Sequence, residues 1–159
     1  MEEISQEMLT FYIDNQRYAF DINVIDRIIR SVAITKLQDA PPFIEGVIDY
    51  YGEIIAVINL RKRLGYTIED LKLTDRYIIV KTANRKLALI VDDVEKLLLI
   101  DSKDEFIAKN LDAGIQLLKV VREDEGIIFI YDIERLLNQK NEIELDKFIK
   151  VNFTSGVTL

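Results

Sequence analysis

Residues 41–65 read PPFIEGVIDYYGEIIAVINLRKRLG, and this stretch decides the fold. Pro41 and Pro42 fix an extended lead into it. Ile44 to Tyr50 and Glu53 to Ile58 carry β-branched residues on either side of Tyr51-Gly52, the signature of a hairpin with a tight turn. Apolar residues fill both faces of the two strands. Asn59 can cap a single helical turn, Leu60 to Leu64, whose cations Arg61, Lys62 and Arg63 sit at its negative end. Gly65 is placed to end that turn in a left-handed conformation. The polar residues Asp49, Tyr50, Tyr51 and Glu53 gather at the bend. Successive strand residues point to opposite faces, so at most one of the two tyrosines is expected to be fully exposed. Tyrosine is enriched at interface hot spots, so an exposed one here is a candidate partner contact. The stretch holds no group suited to bond-breaking.

Three further hairpins flank this centre. Met8 to Ile13 turns at Asp14-Asn15 and returns as Arg17 to Phe20. Tyr77 to Val80 turns around Ala83-Asn84 and returns as Leu87 to Val91. Leu117 to Val121 turns through Glu123-Asp124-Glu125-Gly126 and returns as Ile127 to Ile130. Each pairs β-branched and aromatic runs with Asn, Asp or Gly turn chemistry. Short strands at near-even spacing suggest small barrels or a sandwich. Helices are predicted to be few: one capped by Asn23 with Ile25, Ile28 and Ile29 on one side, one turn capped by Asp132, and a C-terminal helix opened by a capping box of Asn141 and Glu144. Strand pairs before and after Gly65 hint at a two-lobed body.

Composition narrows the function. At 159 residues the chain can bury one ordinary core or two small ones, and an apolar fraction of 49% fits a globular protein. No apolar run reaches the ~18 residues of a membrane helix. The acidic N-terminus lacks the order of a secretory signal, so a cytoplasmic location is expected. The chain has no cysteine and no histidine. That excludes disulfides, thiolate chemistry and imidazole-based catalysis or metal binding. A net charge of −7 opposes nucleic-acid and anionic-membrane binding and favours a protein partner.

Other sharp features have plain readings. Asp92, Asp93 and Glu95, and again Asp101, Asp104 and Glu105, lack the spacing of a calcium loop and read as strand ends and solvated faces. Glu45, Asp49 and Glu53 resemble an acid–base set, but no oxyanion loop or nucleophile elbow accompanies them. Asn152-Phe153-Thr154 matches a glycosylation triplet without a secretion signal. The stripes Ile25/Ile28/Ile29 and Val47/Ile48 with Ile54/Ile55 read as core, although a seam between two lobes can stay open to a helix. No catalytic residue, metal or cofactor is expected.

With these elements in place the chain resembles the CheW family of bacterial chemotaxis coupling proteins along nearly its whole length. Tyr18-Ala19-Phe20-Asp21-Ile22 with Ile25 and Ile28, then Ala40 to Ile48, Gly52 to Arg61, Leu89 to Val94, and Ile128 to Leu137 are similar to family segments in the same order. The resemblance implies a mainly β fold of two intertwined, SH3-like barrels of about five strands each, with a few short helices and a C-terminal helix, as a single domain over 1–159. It implies a non-enzymatic adaptor that joins a CheA-type histidine kinase, through its regulatory domain, to the helical hairpin at the cytoplasmic tip of chemoreceptors. It further implies a receptor-binding groove at Ile25, Arg27, Gly46, Ile48, Tyr51 and Val91, and a structural task for Asp92 in orienting backbone amides. Kinase-side residues stay unassigned.

Two positions depart from the family pattern. The family's usual Asn-Leu-Arg-Gly is Asp49-Tyr50-Tyr51-Gly52 here, so Tyr51 stands where an arginine associated with receptor contact is usual. Arg27 stands where the family usually carries a glutamate. A guanidinium and a carboxylate are thus replaced by a phenol and a cation. If both positions face a partner, the partner's charges differ too, which leaves open a divergent scaffold with another receptor or kinase.

Overall fold

The computed structural model describes residues 5–67, 70–101, 105–106, 117–123 and 126–153. Two antiparallel-rich sheets organise the chain. The first contains β1 (Ser5–Ile13), β2 (Gln16–Asp21), β8 (Asp93–Asp101), β9 (Glu105–Phe106), β10 (Leu117–Glu123) and β11 (Gly126–Tyr131), in the order β8-β1-β2-β11-β10-β9. The second contains β3 (Ile25–Arg30), β4 (Ile44–Tyr50), β5 (Glu53–Asn59), β6 (Arg76–Lys81) and β7 (Lys86–Val91), in the order β3-β6-β7-β5-β4. Helix α1 is Leu60–Arg63 and α2 is Gln139–Phe153. The expected mainly β fold, with two intertwined subdomains and a C-terminal helix, is what forms. The first sheet gains a sixth, two-residue strand, β9.

The chain intertwines the sheets by leaving the first after β2 and returning to it at β8. The chain therefore crosses between the sheets after Asp21 and after Val91. Gly65 (φ 83°) only ends α1. One parallel pairing in each sheet locks this arrangement, β2 with β11 and β5 with β7.

Alternation explains why the central strands are apolar on both faces. Ala56 and Ile58 of β5, Ile78 and Val80 of β6, and Leu87, Leu89 and Val91 of β7 meet Leu9, Phe11, Ile13, Tyr18 and Phe20 from the first sheet in one shared core. The intervening residues Ile55, Val57, Tyr77, Ile79, Ala88 and Ile90 fill a second cluster within the β3–β7 sheet. Met8, Ala19, Val121, Ile128 and Ile130 fill a third within the other. Val47, Ile48 and Ile55 are core, as their stripe suggested, but Ile54 is only half-buried. In the other stripe Ile25 and Ile29 are half-buried and Ile28 is exposed, because edge strand β3 turns it outward.

All four predicted hairpins form. Asp14 and Asn15 both adopt positive φ, as do Tyr51 and Gly52, which a two-residue hairpin turn of the type I′ kind requires. For the hairpin of β10 and β11, turn residues 124–125 lie outside the described residues.

Two helix predictions fail in instructive ways. Asp21, not Asn23, caps a single 3-10 turn at Ile22–Val24, its carboxylate accepting from the Asn23 amide. The chain then continues as strand β3, because Ile25, Ile28 and Ile29 are β-branched and find a ladder partner in β6. The C-terminal helix opens earlier than expected. Asn138 and Asn141 exchange bonds, each side-chain oxygen accepting from the other's backbone amide at 3.2 and 2.7 Å, so Asn141 sits inside the helix. The caps at Asn59 and Asp132 form as expected.

Polar clamps tie strands and sheets together. Arg17 is buried and grips Glu95 with two nitrogens at 2.9 Å while also bonding Glu123, so β2, β8 and β10 share one cation. Burial pushes the Glu95 carboxyl up, but the hydrogen-bonded Arg17 guanidinium outweighs this and holds it below the usual carboxylate range. Asp92 accepts from the Asp14 amide at 2.7 Å and from Arg61 at 2.5 Å, tying the β1–β2 turn to α1 and the end of β7. That is the amide-orienting task implied for it. Arg85 pairs with Glu142 at 2.8 Å and with Asp146, fastening α2 to the β6–β7 turn.

Candidate functional site

The β3–β7 sheet curls until its two edge strands approach. Just past β3, Thr35 bridges Val47 of β4 through a pair of amide–carbonyl bonds at 2.8 and 2.9 Å. Gly46 makes this closure possible. Its φ is +151°, and a Cβ there would lie 2.1 Å from the Thr35 carbonyl oxygen. Only a residue without a side chain lets the backbones come so close.

Closure brings together side chains from opposite ends of the strand order. Arg27, on β3, donates from Nη1 to the Tyr51 hydroxyl at 2.6 Å, and its guanidinium carbon lies 5.0 Å from the Tyr51 ring centroid. Tyr50 donates across the same join to Asp26 at 2.8 Å. Burial, and then the bond to the Asp26 carboxylate, push the Tyr50 phenol up, so it stays a neutral donor. The Tyr50 and Tyr51 rings meet edge to face at 4.9 Å. Lys86 approaches from β7, 3.6 Å from Glu53 and 5.7 Å from the Tyr50 ring.

One tyrosine is core and the other is surface. Tyr50 is 7% exposed and Tyr51 is 80% exposed. Tyr51 also sits at φ 51°, a left-handed backbone that costs a side-chain-bearing residue about 1–2 kcal/mol. A large aromatic held outward on strained backbone is unusual for a purely structural turn. Beside it runs an open groove of about 540 Å³ lined by Ile29, Val32, Ala33, Ile48, Asp49 and Tyr51 among others.

The six sequence-derived groove residues divide by depth. Arg27 and Tyr51 are exposed and in contact with each other. Ile25 is half-buried against the shared core. Ile48 lines the groove from beneath and is 4% exposed, whereas Val91 is 1% exposed in the shared core. Gly46 is buried under Thr35. Gly46 therefore shapes the surface by letting the barrel close, whereas Val91 belongs to the shared core and does not line the groove as expected. Sequence reading passed over Asp26 and Lys86, which brace the tyrosines. Their signal was faint, because barrel closure brings Asp26 to Tyr50 and the long-range β5–β7 pairing brings Lys86 to Glu53.

The other candidate clusters dissolve into separate tasks. Glu45 accepts from Asn59 at 2.9 Å and pairs with Lys62 at 2.7 Å, Asp49 accepts from the Gly52 amide at 2.8 Å, and Glu53 faces Lys86. No group of three carboxylates arranged for a metal ion occurs among the described residues. Asp104 of the second acidic set and Thr154 of the glycosylation triplet lie outside the described residues. No described helix is long and apolar enough to cross a membrane.

A closed β body that presents a braced, exposed aromatic–guanidinium pair beside a groove defines a docking module. The CheW-like domain family model matches residues 7–141, and the chain belongs to that family. It is 31% identical over 134 residues to the chemotaxis protein CheW of Thermotoga maritima, a match spanning 84% of this chain and 88% of that protein. It is 26% identical to the chemotaxis protein CheW of Bacillus subtilis, over 86% and 89% of the two chains. The solved scaffolding protein TtCheW from Thermoanaerobacter tengcongensis superposes with a TM-score of 0.79 at 28% identity, covering 87% of this chain and 96% of that one.

Proposed function

We propose that this protein is a non-enzymatic chemotaxis adaptor. It couples the cytoplasmic helical hairpin of chemoreceptors to the regulatory domain of a CheA-type histidine kinase, at the cytoplasmic face of receptor arrays. The carrying observation is family membership over most of the chain, joined to an exposed Tyr51 braced by Arg27 at the rim of a groove. The adaptor works by assembly. Each partner binds a separate face, and kinase activity responds to the coupling free energy of the whole. The receptor-side surface consists of Ile25, Arg27, Ile48 and Tyr51, with Gly46 holding its shape.

A second reading keeps the fold and changes the receptor or kinase. It is favoured by Arg27 and Tyr51 occupying the family's glutamate and arginine positions as a bonded pair. Calorimetric titration of the full chain with a receptor-tip hairpin and with a kinase regulatory domain tests both readings. Binding of both supports the adaptor, whereas kinase binding without hairpin binding supports the divergent scaffold. The variant Tyr51→Gly, which suits the left-handed backbone, deletes the ring and is expected to weaken only the hairpin.

A further inference from the structure

We infer that Arg27 is a specificity determinant that selects a partner helix carrying an aspartate or glutamate one turn away from an apolar anchor. This rests on the proposed receptor docking and adds the chemistry of the contact.

The local charge balance points that way. Arg27 spends Nη1 on the neutral Tyr51 hydroxyl. Among the described residues its Nε and Nη2 have no acceptor, and no carboxylate pairs with it. The nearby acids are committed elsewhere: Asp26 to Tyr50, Asp49 to the Gly52 amide, Glu53 to Lys86. The exposed guanidinium therefore keeps one edge free, the Nε–Nη2 fork that matches a carboxylate with two parallel bonds. The bond to the Tyr51 hydroxyl and the nearby ring hold the guanidinium in place, so less side-chain freedom is lost when an acid arrives.

The same neighbourhood carries further arginines on a chain whose net charge is −7. Arg30, on edge strand β3, lies directly across the β3–β6 ladder from Arg76. Like charges directly opposite are unfavourable until an anion joins them. Arg30 also lines the groove beside Tyr51, where Ile29, Val32 and Ala33 offer apolar contact. An amphipathic helix can place an apolar side chain in that groove and a carboxylate three or four residues on, over Arg27. A basic residue at that helix position meets an unpaired guanidinium and is rejected.

The test uses the full chain and a receptor-tip hairpin in which each exposed position is changed in turn to Glu and to Lys. Binding is measured to the wild type, to Arg27→Glu, and to the double variant Arg27→Glu/Tyr51→Arg, with kinase-domain binding as the folding control. At one position or more the Glu hairpin is expected to bind the wild type roughly tenfold tighter than the Lys hairpin, with the order reversed for Arg27→Glu. The preference should shrink at high salt. Hairpin binding that is indifferent to charge at every position, with all variants folded, overturns the inference and leaves receptor docking standing. Failure of every hairpin to bind the wild type overturns both.

Discussion

Substituting Gly46 by alanine should unlock the β3–β7 barrel. The added Cβ would lie 2.1 Å from the Thr35 carbonyl oxygen, where ordinary contact begins at 3.4 Å. The two backbones must part by the difference, 1.3 Å (3.4 minus 2.1). Both Thr35–Val47 bonds, at 2.8 and 2.9 Å, then exceed hydrogen-bonding range. Each lost bond costs about 1 kcal/mol net, and up to ~3 kcal/mol where the orphaned group stays buried. Alanine at φ +151° adds about 1 kcal/mol of backbone strain. The total is about 3–7 kcal/mol, against roughly 8–24 kcal/mol for a chain of this size. Urea titration followed by circular dichroism should show a lowered midpoint, and the melting temperature should fall by about 10 °C. Hairpin binding should weaken along with stability, because Arg27 and Tyr51 are brought together by this closure. A Gly46→Ala protein within about 1 kcal/mol of the wild type would refute the reasoning.

Arg17→Met strands Glu95 and Glu123 without their shared cation and should cost about 2–4 kcal/mol, less than a fully buried pair because both acids keep some water. The further changes Glu95→Gln and Glu123→Gln should recover part of that loss in the same denaturation assay. The folded-state pKa of Glu95 is depressed, so its contribution is present above the ordinary value of 4.5 and is lost as pH falls through the lower folded value. Stability measured below pH 4.5 should therefore fall more steeply in the wild type than in Arg17→Met. Asp75 has the opposite sign. Burial pushes its carboxyl up from 3.8, outweighing the bond it accepts from the Lys72 amide at 2.7 Å, so its charge opposes folding at neutral pH. Asp75→Asn keeps an acceptor for that amide and should be the more stable protein at pH 7, with the advantage vanishing as pH falls below 3.8; a less stable variant at pH 7 contradicts this.

Local signals were legible in the sequence wherever one turn or one cap decided the outcome. The hairpins at Asp14-Asn15 and Tyr51-Gly52 and the cap at Asn59 depend on nearest neighbours alone. Ile25 to Ile29 were misread as helix because short apolar runs fit either period, and only the distant β6 ladder decides between them. The lobe boundary is not legible in the sequence for a related reason. It is set by the parallel pairing of β2 with β11, whose residues lie about a hundred positions apart. The site was half legible. Residue type and family position marked Arg27 and Tyr51. Their bond, and the burial of Ile48 and Val91, depend on how the sheet closes and which face each strand turns inward. Gly46 was found for its place in a pattern, and its backbone contact with Thr35 supplies the physical cause.

The central claim is that this molecule works by being held between two other proteins. Sedimentation of the full chain with a receptor-tip hairpin and a kinase regulatory domain, each separately labelled, tests it most directly. The account predicts one ternary species in which both labels sediment together, and loss of the hairpin label alone with Tyr51→Gly. Competition between the hairpin and the kinase domain for a single surface would contradict it.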